Sequence, residues 1–190
     1  MKKLSQITES IWSDIQDRSM GKTVREEDKI TTNEELKNKI QELYKEQGEG
    51  KTLDVSSLTN IIKCDDFSGI FEGYKNVKYI IGLEDWDVSK VTNMKEMFRD
   101  CENFNADLSK WNVSSATTML GMFASCDKFN SNLSNWDVSG VLYMQCMFKN
   151  CKNFDSDLSK WNVSSAENIG GMFSGCQSLI GKIPDWYKNK

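Results

Sequence analysis

Four cysteines recur at a fixed interval and are the residues whose spacing most resembles a chemical site. They stand 25 residues apart, at Cys101, Cys126, Cys151 and Cys176. A zinc site usually draws on cysteines about two to four residues apart, so this interval argues against a metal. Side chains that point in parallel from neighbouring 25-residue units rarely reach the dihedral angle of a disulfide. We therefore predict a column of free, buried thiols that pack as small apolar side chains.

Other chemical motifs are weak. Gly50-Lys51-Thr52 resembles the end of a phosphate-binding loop, but Lys45 stands where that motif needs a glycine. The chain has no histidine, which excludes a histidine base, a Ser-His or Cys-His dyad and a histidine-ligated metal. We predict no catalytic residue, no metal and no cofactor, and therefore a protein that is not an enzyme.

Net charge and hydropathy exclude two classes of binding partner, nucleic acids and membranes. The 190 residues carry a formal net charge of -4, which argues against nucleic acid and against an anionic membrane surface. No apolar run is long enough to cross a bilayer, and no apolar segment follows the basic start Met1-Lys2-Lys3. We expect neither membrane insertion nor a signal peptide, and folding in a reducing cytoplasm.

Aromatic and sulfur side chains indicate that the chain is built from a repeat. The tryptophans recur every 25 residues, at Trp86, Trp111, Trp136, Trp161 and Trp186. Met-Phe pairs keep the same period, at Met97-Phe98, Met122-Phe123, Met147-Phe148 and Met172-Phe173. One unit alone cannot bury both its tryptophan and its Met-Phe pair, so the units must stack on one another.

Within one unit, the pattern predicts a strand followed by helical turns. Trp111-Asn112-Val113 alternates apolar and polar residues of high β-propensity, which favours a short strand. One face of a helix, or of a run of helical turns, is predicted for Ala116, Met119, Met122, Phe123 and Cys126. We expect the strands to pair in parallel at roughly 4.8 Å, and the tryptophans to stack in a buried ladder.

These units predict an α/β repeat fold of about five 25-residue coils, preceded by a small helical segment. The predicted domains are an N-terminal cap or attachment segment at 1–50 and a repeat domain at 51–190. Within the second, we predict a degenerate first coil at 53–85, regular coils at 86–180 and a C-terminal cap at 181–190.

The first fifty residues lack the repeat and carry two helical patterns. An apolar stripe, predicted to be an attachment helix, consists of Leu4, Ile7, Ile11, Trp12 and Ile15. Thr32-Asn33-Glu34-Glu35 is a capping box and starts the second pattern. The two helices either cap the open end of the stack or dock onto a protein partner.

The predicted strand face that points away from the core is the candidate binding face. Its side chains form three polar columns, one repeat apart. The columns are Asp85, Lys110, Asn135 and Lys160; Asp87, Asn112, Asp137 and Asn162; and Ser89, Ser114, Ser139 and Ser164. Repeat proteins often bind partners on such an array, although the same columns also serve simply to solvate the sheet.

The units resemble the BspA-like leucine-rich repeat family, in its DUF285 branch. The residues that carry the resemblance are Phe104-Asn105-x-x-Leu108-Ser109-x-Trp111-Asn112-Val113-Ser114, Met122-Phe123-x-x-Cys126 and Trp136-Asp137-Val138-Ser139, and it covers about residues 53–186. It implies a right-handed solenoid like that of leucine-rich repeats (LRR), with no enzymatic activity and no shared catalytic residues. Members of the family are linked to adhesion and surface display, often as secreted proteins or lipoproteins.

Because we expect no signal peptide, we expect the protein to reach the outside of the cell by a route other than secretion. We expect a non-enzymatic repeat protein that joins a phage virion through its N-terminal helices, as a fibre or decoration component. On this expectation the strand face binds a host-surface protein or a glycan. The alternatives are a BspA-like adhesion protein of the bacterial cell surface and a purely structural protein that decorates a shell.

Overall fold

The structure is a computed structural model that describes residues 29–58, 61 and 64–189. Its helices and strands are α1 (Asn33–Glu46), β1 (Thr52–Asp54), β2 (Tyr79–Ile81) and α2 (Asp185–Lys188), with short 3-10 turns at Leu83–Asp85 and Gln177–Leu179. β1 and β2 form a two-stranded parallel sheet in which Leu53 lies opposite Ile80. The predicted attachment helix, Leu4 to Ile15, lies outside the described residues.

Helix α1 begins at the predicted capping box. The hydroxyl of Thr32 accepts a hydrogen bond from the amide of Glu35 at 3.2 Å, and the Glu35 carboxylate accepts one from the amide of Thr32 at 3.1 Å. These bonds satisfy amides that a helix start otherwise leaves unpaired. The backbone amide of Thr31 is the largest cause that lowers the pKa of Glu35. The helix predicted from the capping box is thus confirmed.

Helix α1 packs on the first coil. Leu36 and Ile40 are fully buried in the common core. The side-chain amide of Asn33 donates to the carbonyl oxygens of Asp66 at 3.1 Å and Ser68 at 3.0 Å. α1 therefore covers the backbone edge that the first coil turns away from the later repeats.

Successive repeats lie side by side and are joined by backbone hydrogen bonds. A column of parallel bridges links Asp66, Asn93, Thr118, Tyr143 and Asn168, each to the next. After each bridge residue, alternate amides donate to the following repeat; Met119 N bonds Tyr143 O at 2.8 Å, and Met144 N bonds Asn168 O at 2.9 Å. The amides of the bridge residue and of the residue before it donate to the preceding repeat, as Thr117 N does to Thr92 O at 2.8 Å. We call this network the backbone ladder. It holds equivalent positions of neighbouring repeats opposite one another.

The predicted strand at Trp111-Asn112-Val113 is wrong. These residues form no strand, and the ladder runs instead through Thr118 and the residues after it. The side-chain oxygen of Asn112 accepts the amide of Ser114 at 3.2 Å, and Val113 O accepts the amide of Ala116 at 2.9 Å. Local turns therefore use the backbone groups that a strand would need for pairing.

The predicted helical stripe is a run of turns. Its apolar side chains are buried as predicted, with Met119, Met122 and Phe123 each at 0% exposure. Two backbone positions per repeat have positive φ, for example Gly121 at 60° and Ser125 at 62°. A right-handed helix cannot continue through such positions, so alternate residues remain free to join the ladder.

Phenylalanines form the continuous aromatic column of the core. Rings one repeat apart stack at 5.3 to 5.9 Å along Phe71, Phe98, Phe123, Phe148 and Phe173. Four tryptophans are buried beside this column, namely Trp86, Trp111, Trp136 and Trp161, and the ring centroids of Trp136 and Phe123 are 6.3 Å apart. Trp186 is partly buried. Trp161 and Trp186 stack on each other at 6.5 Å. These four tryptophans are thus core residues, but the predicted tryptophan ladder is wrong: the continuous stack is formed by phenylalanines, and the buried indole rings pack against it.

The four periodic thiols lie against the backbone of the preceding repeat. Cys126 Sγ donates to the carbonyl oxygen of Phe98 at 2.9 Å, and the other three make the equivalent bond. Burial raises the pKa of Cys101 to about 12 and that of Cys176 to about 11. These thiols are therefore buried, free and hydrogen-bonded, an arrangement that goes beyond simple apolar packing.

Candidate binding surface

The predicted binding-face residues lie on the surface, in turns. Ser89 and Ser139 are partly exposed, and the other ten are exposed. In one column, each side-chain oxygen accepts the amide of the serine two residues later, at 3.0 to 3.2 Å; the acceptors are Asp87, Asn112, Asp137 and Asn162. The hydroxyl of Ser89 is the largest cause that lowers the pKa of Asp87. This column therefore stabilises turns.

A polar groove of about 400 Å³ lies between two consecutive repeats. It is lined by Asn130, Ser131, Asn132, Ser134, Asn135, Asp155, Ser156, Asp157 and Lys160. Of the twelve predicted residues, the groove brings together Asn135 and Lys160. The loops before Trp136 and Trp161 supply its two walls, and the ladder fixes the distance between those loops. The remaining ten predicted residues lie outside it.

Most hydrogen-bond acceptors in the groove are already used by the protein. The side-chain oxygen of Asn130 accepts the amide of Asp155 at 2.8 Å. The Ser131 hydroxyl oxygen accepts the amide of Leu108 at 2.8 Å. The Asp155 carboxylate accepts from Lys182 Nζ at 2.7 and 2.8 Å. These bonds join neighbouring repeats and keep the groove walls in place.

Hydrogen-bond donors in the groove are less committed. In the described part of the chain, no hydrogen bond or ion pair within 4.0 Å engages the side chains of Asn135 or Lys160. The side-chain amide nitrogens of Asn130 and Asn132 also make no hydrogen bond within the described residues. The backbone amide of Ser159 is the largest cause that lowers the pKa of Asp157, so that groove carboxylate stays ionised beside Lys160. The groove is therefore polar, with an excess of free donors.

Sequence reasoning missed most of this groove. Asn130, Ser131, Asp155 and Ser156 precede the tryptophans, whereas the prediction followed residues next to each tryptophan. The available signal was periodic: an Asn or Asp stands at Asn105, Asn130 and Asp155, one repeat apart. A polar residue that recurs directly after a buried phenylalanine, here Phe104, Phe129 and Phe154, indicates an inter-repeat contact.

The part of the chain that holds the ladder and the groove also matches a known protein family. A family model described as "Mycoplasma protein of unknown function, DUF285" matches residues 65–186, which include the ladder and the groove. The chain belongs to the DUF285 family. No curated protein and no solved structure matches it.

Two further properties of this DUF285 chain concern metals and membranes. Over residues 29–58, 61 and 64–189, no three His, Cys, Asp or Glu side chains are grouped as they would be around a metal ion. In the same part of the chain, no helix has the length and apolar character needed to cross a bilayer.

Proposed function

We propose that this DUF285 protein is a non-enzymatic binding protein, and that its repeats form an LRR-like solenoid of the BspA type. The polar groove between the loops before Trp136 and Trp161 is its binding site. The ligand is a neutral glycan, whose hydroxyl oxygens accept hydrogen bonds from Lys160 and Asn135 without bringing a further carboxylate next to Asp155 and Asp157.

The observation that carries this proposal is the imbalance between donors and acceptors in the groove. The oxygen atoms of Asn130 and Ser131 are bonded to backbone amides, at 2.8 Å in each case. Lys160 and the side chain of Asn135 keep their donors for a ligand. A ligand that supplies acceptors would pair these groups without breaking a bond that holds the repeats together.

The solenoid proposal is supported by the ladder and by the core. Each repeat bonds to its neighbours through main-chain groups, such as Phe98 N to Met122 O at 2.9 Å. The buried side chains of Phe98 and Phe123 stack across the same boundary at 5.6 Å. A stack held in this way presents a fixed surface, as binding by a preformed groove requires.

The proposed setting remains the one predicted from the sequence: a phage virion, with a bacterial cell surface or a shell-decorating role as alternatives. Helix α1 contributes one structural argument on attachment. Its apolar residues Leu36 and Ile40 are buried against the repeats, so α1 serves as a cap. We therefore assign the proposed attachment to the stripe from Leu4 to Ile15.

Titration calorimetry with two soluble polysaccharides tests the proposed groove. Polygalacturonate supplies carboxylates and hydroxyls, and dextran supplies hydroxyls alone. We expect dextran to bind more tightly, because the carboxylates of Asp155 and Asp157 repel those of polygalacturonate, and Lys160→Glu to weaken dextran binding about tenfold, equivalent to about 1.4 kcal/mol.

Lys149→Glu is the matched control, because it makes the same charge change at an exposed position outside the groove. Its affinity should stay within about twofold of the unmodified protein. Equal losses in both variants would show a nonspecific charge effect and reject the groove. No binding of either polymer would reject a glycan of this class.

A further inference from the structure

The last repeat presents a row of backbone amides that have no acceptor. In the preceding repeat, the equivalent amides donate to the last repeat at 2.7 to 3.0 Å; they belong to Met144, Cys146, Phe148 and Asn150. One repeat later, the corresponding amides belong to Ile169, Gly171, Phe173 and Gly175. Within the described chain these four amides make no hydrogen bond.

The exposed edge consists of donors only. The carbonyl oxygens of Ile169, Gly171 and Phe173 accept local turn bonds from Met172, Ser174 and Cys176 at 3.1 to 3.2 Å. Gly171 and Gly175 are exposed, so two of the four amides lie at residues open to solvent. A strand edge with unpaired amides is a template for another extended chain.

We propose that this donor edge, the amides of Ile169, Gly171, Phe173 and Gly175, binds an extended segment of a partner protein through main-chain hydrogen bonds. The internal repeats show the complement that the edge needs. The carbonyl oxygens of Asn168, Gly170, Met172 and Ser174 occupy that place for the preceding repeat. A partner segment with carbonyls on alternate residues would extend the ladder by one strand.

Two features of the ladder ends argue against a second copy of this chain as the occupant. The carbonyl edge of the first coil, which a head-to-tail neighbour would have to supply, is covered by α1, and Asn33 already bonds Asp66 O and Ser68 O at 3.1 and 3.0 Å. Two donor edges placed tail to tail offer each other no acceptor. These features disfavour a second copy, and the occupant that we propose is a segment of a different protein.

The cap at the end of the core sets a size requirement on that segment. Tyr187 packs edge-on against Phe173, with ring centroids 5.0 Å apart, where the phenylalanine column ends. An inward-facing aromatic residue of the partner would meet Tyr187. The partner segment must therefore carry a small side chain where it faces Phe173.

A peptide that copies the ladder segment of the last repeat is a suitable probe. Acetyl-Glu-Asn-Ile-Gly-Gly-Ala-Ser-Ser-Gly-amide follows residues 167–175, with small residues in place of Met172 and Phe173. We expect about 2 mM peptide to slow hydrogen exchange at the four edge amides about threefold or more, measured by NMR. The amides of Met144 and Phe148, which are already paired, should not change.

Removal of one donor tests the mechanism in the full chain. Ligation of residues 1–150 to a synthetic segment at Cys151 allows Gly171 to be replaced by N-methylglycine, which lacks the N–H but tolerates the φ of 66°. Gly181 is the matched control, since it has φ 82° and no atom within 4 Å of an added Cβ. The Gly171 replacement should weaken peptide binding about fivefold, and the Gly181 replacement should leave it unchanged.

Three results would overturn the proposal. The first is no slowing of exchange at the edge amides of the unmodified chain, a measurement that does not depend on the ligated variants. The second is equal peptide binding by the two N-methylglycine proteins. The third is self-association in sedimentation experiments that itself protects the four amides, which would make a second copy the occupant.

Discussion

The indole nitrogen of Trp136 donates a hydrogen bond of 3.0 Å to the carbonyl oxygen of Leu108, 28 residues earlier. Trp161 makes the same bond to Leu133 at 3.0 Å. In contrast, the buried indole nitrogens of Trp86 and Trp111 have no partner within the described chain. The tryptophans of the later repeats therefore bind each repeat to the preceding one through a side chain as well as through the ladder.

This difference predicts unequal effects of the same substitution. Trp136→Phe removes a satisfied donor, whereas Trp111→Phe removes a buried donor without a partner. We expect Trp136→Phe to lower the free energy of unfolding by about 1–2 kcal/mol more than Trp111→Phe. Trp136→Ala should cost about 3–5 kcal/mol through lost packing. Urea denaturation of the three variants measures these values, and equal costs for the two Phe variants would contradict the role of the hydrogen bond.

The thiols should differ sharply in reactivity. Burial raises the pKa values of Cys64, Cys101, Cys126, Cys151 and Cys176, so these residues hold little thiolate near neutral pH. Cys146 is the partly exposed cysteine. We expect iodoacetamide at about pH 8 to modify one thiol per folded chain quickly and all six only after unfolding. Mass spectrometry counts the adducts, and fast modification should disappear in Cys146→Ser.

Raised thiol pKa values also make stability dependent on pH. The unfolded chain ionises its thiols near the ordinary value of 9.0, whereas Cys176 in the folded chain ionises at about 11. This contribution to stability is complete below about pH 9 and is lost as the pH rises towards the folded value. We expect the Cys176 thiol to remove about 1 kcal/mol of unfolding free energy by about pH 10. Cys176→Ala should lose less between pH 8 and 10 than the unmodified protein; an unchanged slope would contradict the prediction.

Cys146 occupies a backbone conformation that favours glycine. Its φ is 56°, and the equivalent residues one repeat away, Gly121 and Gly171, have φ of 60° and 66°. A side chain in this region costs about 1 kcal/mol, partly offset by the greater freedom of glycine in the unfolded chain. Cys146→Gly should therefore raise the free energy of unfolding by about 0.5 kcal/mol. Cys146→Ala is the control, since it keeps the strain and should give no gain in thermal denaturation.

Asn33 tests the cap formed by α1. Asn33→Asp has nearly the same shape but replaces a donor with a carboxylate that faces the carbonyl oxygens of Asp66 and Ser68. We expect the free energy of unfolding to fall by about 2 kcal/mol or more. Asn38→Asp introduces the same charge at an exposed position of the same helix and should change stability by less than about 0.5 kcal/mol. Equal effects in chemical denaturation would show that Asn33 is not part of the cap.

The sequence predicted which side chains form the core, because burial leaves a periodic trace. Trp111, Met122 and Phe123 are all buried, at 5%, 0% and 0% exposure. It also predicted the start of α1, since a capping box is a local signal between Thr32 and Glu35. Both predictions rest on interactions that residue types reveal directly.

Backbone pairing was harder to predict, since it depends on which groups the turns leave free. The Trp-x-Val alternation predicted a strand, but the side chain of Asn112 and the carbonyl of Val113 engage the local backbone there. Ladder bonds fall instead at Thr118 and the residues after it, between left-handed positions such as Gly121. The candidate groove was predicted only in part for the same reason. Asn135 and Lys160 were predicted from the sequence, whereas Asn130 and Asp155 could be assigned only once the contact between repeats was known.

The hydrogen-bonding groups at the two ends of the backbone ladder differ in whether they are paired, and this difference sets the order in which the repeats unfold. Asn33 closes one end by bonding two carbonyl oxygens, while Gly171 and Gly175 leave amides open at the other. In a linear array, the terminal unit with fewer neighbours frays first. On heating, the repeat next to Trp186 should therefore unfold first and the one next to α1 last. A partner bound at the donor edge would then stabilise all the stacked repeats against unfolding.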